Sequence, residues 1–170
     1  YYRNISESHS VPLIDGKRQD ETGKASVIGF DSNDAEARVS IDLTDAYRDR
    51  AKQVTRDVAL TNLRKAVVVR DRYELTSHHD IVWAMTTDAD IAILPDGAAA
   101  LSLDGKKLIA RVIEPKGVAF VMESAERPGP EKPNKGVRRL LLRVNDATGN
   151  TNISVMLAPV WDDGAVESIE

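Results

Sequence analysis

The sequence contains no cysteine, which excludes a disulfide framework, a thiolate nucleophile and any thiolate metal site. Aromatic residues are scarce, with 2 Trp, 4 Tyr and 2 Phe among 170 residues, so aliphatic side chains must carry the core. Neither charge sign prevails strongly: 27 acidic side chains face 23 basic ones, for a formal net charge of -4. That balance excludes the strongly basic field of a dedicated nucleic-acid binder. It leaves room for local basic clusters that meet an anionic polysaccharide. No apolar run reaches membrane-spanning length, and nothing at the start reads as a signal peptide. The lack of cysteine suits cytoplasm and periplasm equally, so it does not fix a compartment.

What the chain does have is period-two alternation. Val39, Ile41 and Leu43 interleave with Arg38, Ser40 and Asp42, the pattern of a strand with one wet and one buried face. Residues 54–60, 66–75, 81–87 and 91–94 read as strands, and Val67, Val68 and Val69 suggest a central strand buried on both faces. Pro95-Asp96-Gly97 is a turn, and Asp104-Gly105 is the strongest hairpin signal in the chain. Strands over 98–103, 106–113, 118–122, 137–144 and 152–158 complete the pattern. The expectation is an all-β fold, an antiparallel β-sandwich of about ten strands with at most one short helix. The helical turn belongs at 42–53, with Thr44 or Asp45 as N-cap. Residues 126–136, rich in Pro and Gly, must form an exposed loop. One domain spans 1–170.

Few residues offer chemistry. There is no Gly-x-Ser-x-Gly elbow, P-loop or His-Glu-x-x-His motif. His78 and His79 are adjacent and so point to opposite faces of an extended chain; they read as a solvent-facing turn. Asp42, Asp45 and Asp49 read as solvated charge. The opening stretch, YYRNISESHSVPLIDGKRQ, stands apart. It joins Tyr1, Tyr2 and His9 to an apolar run and an Asp15-Gly16 turn, and it begins as though it were the middle of something larger. His9 is either a surface or seam histidine bonded to a backbone carbonyl, or one member of a metal site that needs further ligands.

That stretch resembles the start of the C-terminal β-sandwich of the heparinase II/III-like polysaccharide lyases. There a tyrosine-rich approach leads to a histidine, an apolar strand, an Asp-Gly turn and a glutamine; the matching positions are Tyr1-Tyr2, His9, Leu13-Ile14, Asp15-Gly16 and Gln19. Asp42, Thr44, Ala46, Tyr47 and Arg56 continue the likeness, as do the Trp83 strand, the two Gly-containing turns and the end at Ala158-Pro159. His9 is flanked by Ser8 and Ser10 where the family usually has Ala and Asn.

The resemblance implies the C-terminal domain of a larger bacterial lyase, periplasmic or secreted, that cleaves glycosaminoglycan or alginate by β-elimination at a uronic acid. Its partners would be an N-terminal α/α toroid and the acidic polysaccharide, with no nucleic acid and no membrane. The family's base and acid, a Tyr and a His, lie upstream of Tyr1, so this chain alone is expected to be inactive, with no catalytic residue and no cofactor of its own. The resemblance makes His9 a zinc ligand of the full-length parent. Tyr1, Tyr2, Tyr47 and Arg56 become candidates for the substrate cleft, although Tyr47 and Arg56 also suit a role ordering the corner.

Two other readings compete. An autonomous carbohydrate-binding module requires an exposed aromatic platform. A structural docking module requires a broad apolar patch.

Overall fold

The structure, a computed structural model, describes residues 1–161 and 164–167; residues 168–170, the end of the expected 1–170 domain, lie outside the described residues. Two antiparallel sheets stack as a sandwich. The smaller has the order β1 (Leu13–Ile14), β6 (His79–Thr87), β11 (Arg138–Ala147), β10 (Val121–Ser124). The larger has the order β2 (Ser26–Ser32), β3 (Ala37–Asp42), β4 (Ala51–Thr61), β5 (Ala66–Leu75), β12 (Asn150–Pro159), β9 (Lys106–Glu114), β8 (Ala99–Leu103), β7 (Asp90–Ile93).

Alternation decides which side chains meet between the sheets. Val54, Tyr73, Ile153 and Val155 from the large sheet pack against Ile14, Ile81, Trp83, Leu140 and Leu142 from the small one. Each aliphatic side chain fully buried here contributes about 1.5–3 kcal/mol. Trp83 and Phe120 meet with ring centroids 6.2 Å apart and planes tilted by 53°, a favourable aromatic geometry. The Asp104-Gly105 hairpin forms as expected between β8 and β9, with φ of 48° and 75°, the two positive values that a type I′ turn requires.

Several local expectations shift. The helical segment is a 3-10 turn at Thr44–Tyr47, and β4 already begins at Ala51. Its N-cap position is held by Leu43, without a side-chain cap, rather than by Thr44 or Asp45, and the preceding Asp42 accepts the Thr44 amide through Oδ1 at 2.9 Å. Two further 3-10 turns, Tyr2–Asn4 and Ser6–Ser8, occupy the opening segment. The strand expected at 118–122 lies at Val121–Ser124. The 126–136 loop is not wholly exposed, because Asn134 is buried and its Oδ1 accepts from Arg3 Nε at 2.5 Å.

The triple valine is central in its sheet yet only part-buried. Eight strands face four, so the β2–β3 end of the large sheet overhangs. Cross-strand pairing makes one row of Phe30, Val39, Val58, Val69 and Val155. Along that row exposure falls from 75% at Phe30 to 0% at Val155. The outer part of the row is an apolar sheet face with no second layer over it among the described residues.

Candidate functional site at the seam of the opening segment

Where the overhang begins, residues 10–18 run across the inner face of β4. The contact is built from charge. Register sets Arg56 of β4 opposite Asp71 of β5, and Arg56 Nε and Nη2 donate to the two Asp71 oxygens at 2.6 and 2.7 Å. This is a two-pronged pair whose Asp71 side chain is wholly buried. Arg56 Nη1 donates onward to the Ser10 carbonyl at 2.7 Å. Tyr47 Oη donates to the Pro12 carbonyl at 2.7 Å, and Arg50 Nη2 to the Arg18 carbonyl at 3.1 Å. Tyr73 Oη closes the group by donating to Asp71 Oδ2 at 3.3 Å.

The electrostatics follow from burial. Desolvation pushes the Tyr47 and Tyr73 phenols well above their ordinary range, and the Asp71 charge pushes the same way. For Arg56, burial opposes the cation, but the hydrogen bonds and charge of Asp71 outweigh it and hold the guanidinium protonated. Within this structure Tyr47 and Arg56 therefore act as a clamp on the opening segment. The Tyr47 ring is fully buried, and its hydroxyl is already committed to Pro12.

The other candidates divide between two places. His9 is exposed, and its ring makes no hydrogen bond among the described residues. It lines a shallow cleft of about 390 Å³ with Ser6, Gln19, Asp20 and Leu43. Asp20 is engaged there by the Thr22 hydroxyl and amide and by Arg48, which hold its carboxyl well below the usual range. No group of three or more His, Asp or Glu side chains among the described residues is placed to hold a metal ion. The residues present thus do not fit a zinc site by themselves.

Tyr1 and Tyr2 belong instead with the 126–136 loop. Tyr2 is buried, its amide donates to Glu131 Oε2 at 2.9 Å, and the Arg127 guanidinium lies 3.9 Å from its ring centre, a cation–π contact. Tyr1 is exposed and shares a cleft with Arg3, Pro130 and Lys132. The fold therefore gathers Tyr47 and Arg56 beside the His9 segment and sets Tyr1 and Tyr2 elsewhere.

Sequence reasoning missed Asp71 and Tyr73. The signal was there: alternation places Asp71 inward between Val69 and Tyr73, an acid that needs a buried cation. It also missed His79, read as part of a solvent-facing turn, whose side chain is only 9% exposed.

No family model and no curated protein matches the chain in sequence. Among solved structures, heparan sulfate lyase HepC from Pedobacter heparinus is similar, with a TM-score of 0.73 and 14% identity over 89% of this chain and 24% of that one. The heparinase III BT4657 gene product is similar too, with a TM-score of 0.73 and 14% identity over 93% of this chain and 24% of that one. At such identity the likeness is one of fold, and the chain spans about a quarter of the length of these structures. The chain has the two-sheet fold that occupies about a quarter of the length of these solved structures.

Proposed function

We propose that this chain is the accessory β-sandwich of a heparinase II/III-like polysaccharide lyase, completing a cleft for an acidic, uronic-acid-containing glycan. One observation carries the reading. The chain has the fold found over about a quarter of the length of the two solved lyase structures, and it leaves an uncovered apolar sheet face next to the clamped His9 segment.

The occupant of that face is the α/α toroid of the same lyase. The solved structures carry three quarters of their length outside this fold, and an apolar face ending at Phe30 with no layer over it suits a large, permanent neighbour. In β-elimination a base removes the proton beside the uronate carboxylate, polar groups meet the developing negative charge, and an acid protonates the departing oxygen. The base and acid belong to the toroid or to the sandwich just upstream of Tyr1. This chain's part is to hold the His9 segment rigid at the cleft margin.

In the complete lyase His9 lends one imidazole, as a zinc ligand with partners from the preceding chain. A glycosaminoglycan is the preferred substrate over alginate, with the enzyme periplasmic or secreted in a bacterium. No helix among the described residues is long and apolar enough to cross a membrane. The binding-module reading is less well supported, because Trp83 is buried in the core and forms no platform.

The test follows ultraviolet absorbance of unsaturated uronate from heparin, heparan sulfate and alginate. The isolated chain is expected to yield none, and a toroid added in trans to restore the signal. Product formation by the isolated chain would refute this division of labour.

A further inference from the structure

At the β1–β6 margin of the small sheet three side chains form one hydrogen-bonded relay. Ser77 Oγ lies 3.1 Å from His79 Nε2, and His79 Nδ1 lies 2.7 Å from Asp15 Oδ2. The relay is held by the β1–β6 pairing. Ile14 sits opposite Ile81, the Asp15 amide donates to the Asp80 carbonyl at 2.8 Å, and the Asp80 amide donates to Asp15 Oδ1 at 3.0 Å. Asp15 adopts a positive φ of 54° ahead of Gly16, which turns its carboxylate back over the imidazole. A positive φ is uncommon for a residue with a side chain and is best tolerated by Asp and Asn.

The proton positions follow from chemistry. The hydrogen bond from His79 holds the Asp15 carboxyl below its usual range, so Asp15 only accepts. Nδ1 must then carry the hydrogen, and in the neutral ring Nε2 is left as the acceptor. Ser77 Oγ–H is therefore the donor, aimed at a base whose far side is oriented by an acid. His78 is drawn away by Asp146, 2.8 Å from its Nδ1, leaving His79 as the imidazole beside Ser77. The amides of Ser77 and His78 lie between β5 and β6 and donate to no protein group among the described residues. They are free to meet an oxyanion.

We propose that Ser77, His79 and Asp15 form a nucleophilic acyl-transfer site that hydrolyses short acyl esters, an activity separate from polysaccharide cleavage. The arrangement is atom for atom that of a serine hydrolase triad, which is recognised by geometry and not by order in the chain. Ser77 Oγ adds to the ester carbonyl carbon as its proton passes to His79 Nε2. The negative oxygen is met by the Ser77 and His78 amides. The carbon–oxygen bond to the alcohol then breaks, and His79 returns the proton to the departing alkoxide. Water repeats the sequence on the acyl-serine, giving a carboxylic acid and restoring Ser77. Ser77 is exposed in a bend between Thr76 and His78, open to a small ester arriving from solvent.

The experiment treats the folded chain with a fluorophosphonate probe and, separately, with p-nitrophenyl acetate. The expected results are a phosphonyl adduct located on Ser77 by peptide mass spectrometry, and ester hydrolysis on the order of 10²-fold faster than in Ser77→Ala. Exposed Ser77 can be replaced without disturbing packing, so an unchanged melting temperature confirms that Ser77→Ala is folded. Asp15 is a positioning residue, and Asp15→Asn should displace the pH profile of labelling as well as slow it. An unlabelled Ser77, a Ser77→Ala variant as fast as the parent, or an unmoved pH profile in Asp15→Asn would overturn the assignment. None of these readouts depends on a toroid or on glycan cleavage.

Discussion

Arg56 meets Asp71 through two parallel hydrogen bonds and spends its remaining nitrogen on the backbone carbonyl of Ser10. One side chain thus neutralises a buried acid and fastens a neighbouring segment. Because Asp71 is wholly buried, removing its partner leaves an uncompensated charge. Arg56→Ala is expected to cost about 3–5 kcal/mol in urea unfolding. Replacing both residues by apolar ones of similar volume should cost less than that single change, and an equal or larger loss would contradict this account.

Tyr47→Phe removes only the hydroxyl that donates to the Pro12 carbonyl. Leaving that carbonyl without its partner should cost about 1–3 kcal/mol. It should also speed hydrogen exchange in residues 10–14 more than in β5, which exchange measured by NMR would reveal.

The buried phenols set an alkaline limit. Desolvation raises both Tyr47 and Tyr73 above their ordinary values, so the folded state keeps protons that the unfolded state releases above pH about 10. Stability is unaffected below that point and falls as pH rises through it. Tyrosinate absorbance from these two rings should appear only with unfolding, not before it.

At the acid end the sign reverses. The carboxyls of Asp15, Asp20, Asp42 and Asp96 are all held below the usual range by hydrogen bonds. Their contribution is present above pH about 4 and is lost as pH falls through their folded values. For Asp20 the largest influence is the Thr22 hydroxyl. Thr22→Val should therefore raise the Asp20 midpoint in a carboxyl NMR titration more than any neutral change at Asp45.

Phe30→Asp tests the apolar face. With Phe30 75% exposed, the melting temperature of the isolated chain should scarcely move. Association with the toroid in trans should weaken at least tenfold, or about 1.4 kcal/mol. If wild-type association is absent the docking reading fails; if it persists in Phe30→Asp, only the location fails.

The strands were legible in sequence because alternation and turn chemistry are local. The Asp104-Gly105 hairpin and β4, β5, β6, β9, β11 and β12 lie close to where their patterns put them. β2 escaped notice since Val27 and Ile28 break the alternation, and the register does shift between Val27 and Gly29. The part-burial of Val67, Val68 and Val69 was illegible for another reason: it depends on how many strands the opposite sheet supplies. The clamp was half visible. Tyr47 and Arg56 could be singled out, but their partners Pro12 and Ser10 contribute backbone carbonyls, which leave no mark in a sequence.

Those carbonyls have an evolutionary consequence. Ser10, Pro12 and Arg18 are gripped by atoms that every amino acid possesses. Yet the Ser10 hydroxyl also accepts the Thr86 amide and the Pro12 ring is buried, so of the three it is the exposed Arg18 side chain that can drift while the strap stays taut. The position just before Ser10, His9, is exposed and can therefore exchange its imidazole for another side chain without loosening its mount.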